Sequence, residues 1–476
     1  MSLRQKTVRG AIWSAVESWG TQIVSTAIFL LLARLLGAEA FGLIALANVF
    51  LAFMQIFLDQ GFAQAIIQQE NLEPAHLDTA FWISVSTGAL FVVFTLSGAG
   101  FVANFYSEPQ LAPIIRWMSL SFLLGGLSSV QSAILQRNMQ FKIFAVRSLV
   151  ATSACGIAGI GAAFMGLGVW SLVVKEVVFG TVGALLLWGA SDWRPSLKFS
   201  VKHSKELLSF GINIIGFNFL NFFNRRSDDM LIGYYLGPVA LGYYSVAYRL
   251  LLVMLRLMTS VTSKVALPML AKIKKELGRF RNAFYEATQY TSLISFPAFL
   301  GMAALAPEIV TVVFGEEWRS SIPVMQILAF VGILESISQF NSTAFLALGK
   351  PGWRLAFQVV NVIFTVATFV VVVRWGIVAV ALGFVIRGYL LFPISLWMVK
   401  KLTHISIGQY LAQFRDVLLS ALVMVGAIAL TKHLMSGALN DVALLAICVP
   451  LAASVYLGSV FIFSPTIVRD IRQKFT

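Results

Sequence analysis

Charged residues are scarce in this chain of 476 residues. Asp, Glu, Lys and Arg make up 12% of it, 58% is hydrophobic, and the mean hydropathy is +0.84. A soluble protein carries about 25% charged residues, so this composition excludes an ordinary soluble domain. Apolar stretches of about 18 or more residues recur from end to end, each long enough to cross a bilayer core as a helix. The alternating pattern of an outer-membrane barrel is missing, so helices are the spanning structure that remains.

Cysteine and histidine are scarce too, which limits metal and disulfide chemistry. The two cysteines, Cys155 and Cys448, lie within apolar runs and match neither a metal-ligand spacing nor a disulfide framework, so we predict two small buried residues. The four histidines show no zinc spacing. The sequence "LGKPG" at 348–352 lacks the glycines and the Ser or Thr of a phosphate-binding loop. We therefore predict no enzyme, no metal and no cofactor, which leaves H⁺ or Na⁺ coupling, or the gradient of a bound substrate, as the sources of energy.

The apolar runs predict an all-α polytopic membrane protein with about fourteen transmembrane helices. Connections between them are short. The predicted spans lie at about 12–33, 41–62, 79–103, 112–135, 147–165, 169–190, 207–236, 239–263, 283–305, 322–346, 355–373, 376–398, 416–432 and 442–464.

Basic residues orient these spans. Of the 35 lysines and arginines, 24 fall in loops on one side, 5 on the other and 6 within spans. Cytoplasmic loops carry the excess of Lys and Arg, so both termini are predicted to be cytoplasmic. The net charge of +14 is then loop charge that fixes orientation, and no nucleic-acid partner is expected. One predicted cytoplasmic loop, 63–78, departs from the rule, because it carries Glu70, Glu73 and Asp78 but no Lys or Arg.

An internal repeat relates the two halves of the chain. "LLGAEAFGLIALA" at 35–47 returns as "YLGPVALGYYSVA" at 235–247, and a weaker match relates 166–180 to 374–388. Paired glycines suit tight interhelical turns and close helix contacts. The identical pairs are Leu36/Leu236, Gly37/Gly237, Gly42/Gly242, Ala47/Ala247, Gly168/Gly376 and Gly180/Gly388.

The offsets separate the first six spans from the next six. Because six is even, both halves enter the membrane from the same side, which is a parallel repeat about an axis along the membrane normal. Such repeats occur in transporters with a central site between the lobes. We predict an N-lobe at 1–200, a C-lobe at 201–400 and two appended helices at 401–476.

Four charged residues interrupt an apolar stretch of the C-lobe: Arg225, Arg226, Asp228 and Asp229. Their counterparts in the repeat, 25–29, lie inside the first span and before its turn. We therefore predict that the four belong to helix seven and precede a turn at Gly237; an early helix end with an exposed loop is the alternative. Helical spacing lets Arg225 pair with Asp228 or Asp229, and Arg226 with Asp229. A self-neutralising lock that packs this helix is thus an alternative to a functional site.

Other ionisable residues also fall inside predicted spans. Six cations at membrane depth predict a water-filled cavity of positive character. Arginine presents forked donors that suit phosphate, and tyrosine faces suit sugar rings, so an anionic, membrane-associated substrate is expected. The predicted substrate-binding residues are Arg225, Arg226, Arg249, Arg256, Lys175, Arg387, Tyr244 and Tyr248. The candidates for ion coupling are Asp229, Asp228, Glu17, Glu176 and Glu335.

Several collinear segments resemble the Wzx-type polysaccharide flippases. They are "GAIWSAVESWGTQIVSTAIFLLLARLLGAEAFGLIAL" at 10–46, "LQRNMQFK" at 135–142, "SFG" at 209–211, "DMLIGYYLGPVALGYYSVAYRL" at 229–250 and "FGEEWRSSIPVMQILA" at 314–329. This branch belongs to the multidrug/oligosaccharidyl-lipid/polysaccharide exporter superfamily. Asp229 falls on the family's recurring D-x-L-I-G position, whereas Arg225, Arg226 and Asp228 match no family pattern.

The resemblance implies two six-helix lobes, an alternating cavity and a bacterial inner-membrane location. The implied function is a flippase of undecaprenyl-diphosphate-linked oligosaccharides for exopolysaccharide or lipopolysaccharide assembly, in contact with membrane lipids and with a polymerase and a chain-length regulator of the same pathway as partners. A peptidoglycan-precursor flippase and a cation-coupled drug exporter of the same superfamily are alternatives. A membrane-embedded polymerase or ligase is an alternative of a different class, although it needs a sizeable periplasmic loop, and the longest such loop expected here, about 306–321, is short.

Overall fold

A computed structural model describes residues 3–58, 66–67, 73–435 and 439–465. Within these ranges the regular structure is helical throughout, as the composition predicted. The helices are α1 Leu3–Leu35, α2 Ala38–Leu58, α3 Pro74–Phe105, α4 Leu111–Met118, α5 Leu120–Arg137, α6 Phe141–Phe164, α7 Trp170–Ala190, α8 Val201–Lys272, α9 Leu277–Ala304, α10 Ala306–Val313, α11 Ile322–Ala347, α12 Pro351–Val372, α13 Ile377–Thr403, α14 Ile407–Met435 and α15 Asp441–Phe463, with 3₁₀ turns at Glu316–Ser321 and Val373–Trp375.

Twelve helices of the described residues are long and apolar enough to cross a membrane, or thirteen if α9 and α10 count as one bent span. The count of thirteen is one fewer than the expected fourteen, because the predicted spans seven and eight fall together in the apolar stretch Asn218–Thr259 of α8. That stretch has 42 residues, about twice the 20 that one crossing needs. The backbone of α8 leaves helical geometry at Gly237, with φ 81° and ψ 177°. The count of fourteen stays a prediction.

The prediction that 306–321 forms a periplasmic loop is wrong, because most of this segment is helical. It contains α10 and the 3₁₀ turn Glu316–Ser321, and α10 bends by 73° from α9. Pro307 at the second position of α10 explains the restart, because proline suits the first turn of a helix.

At the predicted cytoplasmic loop 63–78, Glu73 is the N-cap of α3 and Asp78 lies within α3. Glu70 lies outside the described residues.

The fold divides into two compact units, Met1–Gly242 and Tyr243–Thr476, and α8 contributes to both. In the first unit, α6 packs between α1 and α7, α5 packs on α3 and α7, and α4 packs on α2 and α3. Small residues bring α3 and α5 together: a Cβ on Gly88 would lie 2.7 Å from the carbonyl oxygen of Phe122, and one on Gly126 would lie 2.6 Å from that of Ser84. Such close backbone approach replaces the hydrophobic effect as a source of packing energy in lipid. The predicted lobe boundaries at 200 and 400 stay a prediction.

In the second unit, α9 packs on α11 and α14, α13 packs on α11 and α12, and α15 packs on α14. Polar contacts join these helices. The hydroxyls of Ser295 and Ser336 lie 2.8 Å apart, and the Tyr456 hydroxyl donates to the carbonyl of Leu293 at 2.8 Å. Cys155 in the first unit and Cys448 in the second are both buried and free, which confirms the prediction made for them.

Candidate functional site

The charged segment lies within α8, as the repeat predicted. The backbone is helical at Arg225, Arg226, Asp228 and Asp229, and the break follows eight residues later, at Gly237. The alternative of an early helix end is therefore wrong. The two aspartates are buried, with 4% and 6% exposure, whereas Arg225 is exposed and Arg226 is half-buried. The helix thus buries its carboxylates and presents its guanidinium groups.

Only one of the two predicted charge pairs is present among the described residues. Arg226 Nη1 donates to Asp229 Oδ2 at 2.9 Å, which confirms that pair. Arg225 was predicted to pair with an aspartate one turn ahead, but its Nε donates to Asn221 Oδ1 at 3.3 Å. Side chains on a helix lean toward its N-terminus, so Arg225 reaches the preceding turn while Asp228 lies on the buried face. The Asp228 carboxylate accepts the backbone N–H of Asp229 at 3.0 Å.

Two adjoining cavities of the first unit surround these arginines. They share Ala52, Gln55 and Arg226, and together we name them the N-terminal chamber. The first, of about 220 Å³, is lined by Asn48, Leu51, Ala52, Gln55, Met118, Ser121, Phe122, Glu176, Val177 and Arg226. The second, of about 230 Å³, is lined by Ala52, Gln55, Ile56, Asn218, Asn221, Phe222, Arg225 and Arg226.

The chamber wall combines cations, one carboxylate and neutral amides. Glu176 on α7 reaches it, and Lys175 Nζ donates to the Glu176 carboxylate. The two residues are adjacent in sequence, and their side chains are 20% and 40% exposed. Glu17 takes another role, because its Oε1 accepts a hydrogen bond from Ser148 at 2.7 Å between α1 and α6. Of the predicted residues, the structure therefore brings Arg225, Arg226 and Glu176 to the chamber wall.

An apolar groove of about 320 Å³ shares Phe222 with the chamber. It lies between α2, α3 and α8 and is lined by Val49, Phe50, Phe53, Phe101, Val102, Phe105, Tyr106, Phe222, Phe223 and Met230. Burial, and then the nearby negative charge of Asp229, raise the pKa of Tyr106 at the end of α3 to about 12. Its phenol therefore keeps its proton at neutral pH. The groove and the chamber together place an apolar and a cationic surface on the same helix, α8.

The second unit contains a separate polar cavity, which we name the C-terminal pocket. It has about 230 Å³ and is lined by Leu334, Glu335, Ser338, Gln339, Asn341, Ser342, Arg354, Phe357, Gln358, Asn361, Arg387, Gly388, Leu391, Phe392 and Ser395. Arg387 is 8% exposed, and its Nη1 donates to Asn361 Oδ1 at 2.7 Å and to the Thr365 hydroxyl. Its guanidinium also lies 4.8 Å from the ring centroid of Phe384, a cation–π contact. Glu335, a predicted coupling residue, is exposed on the same wall.

The remaining predicted residues follow Gly237 in α8. Tyr244 is fully buried and stacks on Tyr248, with centroids 6.0 Å apart and ring planes 12° apart. Tyr244 therefore serves packing in this conformation, and its ring is covered. Arg249 and Arg256 are both exposed, as expected for residues seven apart on one helix face.

The neutral amide side chains that line both cavities were not predicted from the sequence. Asn48 and Gln55 line the N-terminal chamber, and Gln339, Asn341, Gln358 and Asn361 line the C-terminal pocket. Their signal was present, because an amide inside an apolar span is costly to bury without a partner. Among the described residues, no cluster of three or more His, Cys, Asp or Glu side chains could hold a metal ion.

The chain is similar to known proteins in sequence and in structure. The lipopolysaccharide biosynthesis protein WzxC of Escherichia coli (strain K12) is 28% identical over 422 residues, covering 86% of this chain and 84% of the relative. The succinoglycan biosynthesis transport protein ExoT of Rhizobium meliloti (strain 1021) is 28% identical over 341 residues, covering 71% of this chain and 69% of the relative. The inward closed structure of the lipid II flippase MurJ has a TM-score of 0.79 at 17% identity, covering 97% of this chain and 99% of that one.

The structural likeness shows that this chain shares the fold of the lipid II flippase MurJ. The candidate spans described above agree with these likenesses, and the chain is a multi-pass membrane protein. The family model for "Polysaccharide biosynthesis protein" matches residues 31–323, which is more than half of the sequence. The chain therefore belongs to the family of polysaccharide biosynthesis proteins.

Proposed function

We propose that this protein moves undecaprenyl-diphosphate-linked oligosaccharide repeat units across the bacterial inner membrane, for exopolysaccharide or lipopolysaccharide assembly. The names of relatives support this, since one is a transport protein for succinoglycan biosynthesis and another serves lipopolysaccharide biosynthesis. The name of the succinoglycan relative, a transport protein, also supports the prediction of a transporter and not an enzyme. The fold shared with a lipid II flippase supports a polyprenyl-diphosphate substrate.

The observation that carries the proposal is the pair of arginines in the N-terminal chamber. An intramembrane charge costs about 3 kcal/mol on insertion scales, so such residues persist where they face a cavity or serve function. Arg225 is exposed and bonded to a neutral amide, so its guanidinium keeps donors for an anion. Arg226 shares one donor with Asp229 and lines both cavities. Two forked guanidinium groups suit the oxygens of a diphosphate.

The lobes then alternate between inward and outward states, with the diphosphate in the chamber and the polyprenyl tail in lipid. Both termini lie in the cytoplasm, and the polymerase and chain-length regulator of the pathway receive the exported unit. Coupling to H⁺ or Na⁺ involves a carboxylate beside the arginines, Asp229 or Glu176. The lobes 1–200 and 201–400 are the moving bodies, and 401–476 is the appended pair.

A peptidoglycan-precursor flippase is the second candidate, favoured by the TM-score of 0.79 to the lipid II flippase. Its substrate is also a polyprenyl diphosphate, so the arginines serve both functions equally. The genetic outcome separates them, because loss of an exopolysaccharide flippase removes the polymer whereas loss of a lipid II flippase stops wall growth.

The test is deletion of the gene followed by analysis of lipid-linked oligosaccharides. We expect the intermediate to accumulate on the cytoplasmic leaflet, where added glycosidases cannot reach it in intact spheroplasts. The wild-type gene should restore export, and Arg225→Ala with Arg226→Ala should not, at matched protein level. Normal export by that double variant would overturn the role of the chamber, and a deletion without accumulation would overturn the function.

A further inference from the structure

The apolar groove of the first unit is larger than either cavity of the N-terminal chamber, at about 320 Å³ against about 220 and 230 Å³. Seven of its ten lining residues are aromatic, and the other three are two valines and a methionine. Tyr106 contributes the one hydroxyl of this lining. A wall of this composition fits a hydrocarbon chain, and it offers little to an ion or to a sugar.

Contacts between rings hold the walls of the groove in place. Phe53 on α2 lies against Phe222 on α8, with ring centroids 5.4 Å apart. Phe105 at the end of α3 stacks on Tyr234 of α8, with centroids 4.8 Å apart. Helices that pack tightly in lipid approach each other through small residues, as α3 and α5 do at Gly88. Large rings between α2, α3 and α8 leave a preformed groove instead.

Part of the ring surface in the groove is open to an occupant. Phe101 is 76% exposed and Phe105 is 52% exposed, whereas Phe222 is 6% exposed. Both exposed rings belong to α3, so a chain that lies along this helix would cover them. Hydrocarbon of some kind must fill such a groove in a bilayer, and the neighbouring groups decide which kind.

The groove adjoins the N-terminal chamber through α2 and α8. Phe222 lines both, and on α2 Phe53 lines the groove while Ala52 lines the chamber. Arg225 and Arg226 follow Phe222 by three and four residues, a spacing that places side chains on one helix face about 5–6 Å apart. A single ligand can therefore place a diphosphate at the arginines and the adjoining hydrocarbon in the groove.

A preformed aromatic groove favours an isoprenoid chain over a straight saturated one. Each isoprene unit contains a double bond, so the chain has fewer free torsions to lose on binding than a saturated chain of equal length. The methyl branch of each unit also adds width that packs against ring faces. A phospholipid acyl chain lacks both features.

We propose that the apolar groove binds the isoprene units next to the diphosphate of the lipid carrier, while the rest of the polyprenyl tail stays in lipid. The inference rests on the proposed function, which supplies a polyprenyl diphosphate as substrate. It adds a second point of recognition for the carrier, separate from its phosphates and from the sugars. The groove then helps to distinguish the carrier from the phospholipids around it.

The experiment is photo-crosslinking of the full chain in nanodiscs of phosphatidylglycerol that contain a small fraction of undecaprenyl diphosphate. Phe101→benzoylphenylalanine places the photoreactive group in the groove. Phe94→benzoylphenylalanine is the matched control, because Phe94 lies seven residues earlier on the same face of α3, is 54% exposed and is outside the groove lining. Mass spectrometry then measures the ratio of polyprenyl to phospholipid adducts at each position.

We expect this ratio to be at least fivefold higher at Phe101 than at Phe94. Equal ratios at the two positions would show that the groove is ordinary lipid-facing surface and would overturn the proposal. Enrichment of phosphatidylglycerol at Phe101 would assign the groove to a phospholipid acyl chain, which also overturns it.

Dependence on the chamber is measured in the same preparation. Excess inorganic pyrophosphate should lower the polyprenyl adduct at Phe101 at least threefold, because it competes for the arginines that hold the diphosphate. Arg225→Ala with Arg226→Ala should have the same effect, and the pyrophosphate result remains informative if this variant folds poorly. A polyprenyl adduct that responds to neither change would overturn the placement of the groove beside the diphosphate.

The inference and the proposed function fail separately. Crosslinking uses a carrier without sugars and involves no export, whereas accumulation of the lipid-linked oligosaccharide is measured in cells. Equal crosslinking at Phe101 and Phe94 would remove the groove assignment and leave the flippase function standing. Absence of accumulation in the deletion strain would overturn the flippase function even where the groove binds the carrier.

Discussion

Gly42 lies directly against the backbone carbonyl of Pro238, with no room between them for a side chain. The contact has a counterpart two hundred residues away, because Gly242 lies in the same way against the carbonyl of Ala38. These are four equivalent positions of the internal repeat, since 38 corresponds to 238 and 42 to 242. The starts of two related helix segments thus pack on each other through a reciprocal pair of glycines.

Gly42→Ala should destabilise the fold. The added Cβ would overlap the Pro238 carbonyl, and a backbone group cannot move aside as the end of a flexible side chain can. Overpacking of this kind costs about 1–3 kcal/mol. Thermal unfolding in detergent, followed by size-exclusion chromatography, should show a lower Tm. Gly37→Ala is the matched control, because nothing lies within 4 Å of its added Cβ. Equal Tm values for the two variants would contradict the close contact.

Gly237→Ala tests the break in α8. Its φ of 81° and ψ of 177° lie in a region that essentially only glycine occupies. We expect alanine here to lower the free energy of unfolding by about 1–3 kcal/mol. Because nothing lies within 4 Å of the added Cβ, this loss comes from backbone conformation and not from a steric clash.

Gly100→Ala in α3 is the comparison for Gly237→Ala. It has open space and a helical backbone, so alanine should be neutral or stabilising by about 1 kcal/mol. A Tm for Gly237→Ala at or above that of the wild type would show that α8 can continue through this position.

The spans and the repeat could be predicted because both depend on the chain itself. A helix in lipid must satisfy its own backbone, so the length of an apolar run indicates a span. The turn residues Gly37 and Gly237 were likewise visible as a recurring pattern. The number of spans was harder to predict at α8, where one apolar stretch holds residues on both sides of the Gly237 break.

The contacts of the candidate sites depend on neighbours that spacing does not reveal. For Arg225, both Asn221 behind and the aspartates ahead lie within reach on the helix, and burial of the aspartate face decided between them. The C-terminal pocket is joined by a hydrogen bond between Asn341 and Ser395, 54 residues apart. Which helices pack together determines such a pair, and periodicity within one helix carries no information on it.

The Arg226–Asp229 pair can be tested as structure and as function at once. Arg226→Gln leaves the Asp229 carboxylate buried without its cation, at 6% exposure. Loss of one partner from a fully buried pair costs about 3–5 kcal/mol, but Arg226 is 39% exposed, so about 1–2 kcal/mol is expected here. Adding Asp229→Asn removes the stranded charge and should restore most of the thermal stability.

Export should not return with the stability. The chamber still lacks the cation that we propose for the diphosphate, so the double variant should be stable and inactive. Measured in a deletion strain at matched protein level, recovery of both stability and export would show that this pair is a structural lock and not part of the substrate site.

Glu176 and Glu17 provide the last prediction, which concerns energy coupling. Both lie inside spans, but Glu176 is one of the residues that line the N-terminal chamber, whereas Glu17 accepts a hydrogen bond from Ser148 between α1 and α6. If a carboxylate in the chamber carries the coupling ion, Glu176→Gln should make export independent of external pH or Na⁺. Glu17→Gln should lower the Tm and keep the dependence on the gradient. Transport in proteoliposomes with imposed gradients measures both, and an unchanged gradient dependence in Glu176→Gln would leave Asp229 as the carboxylate to test next.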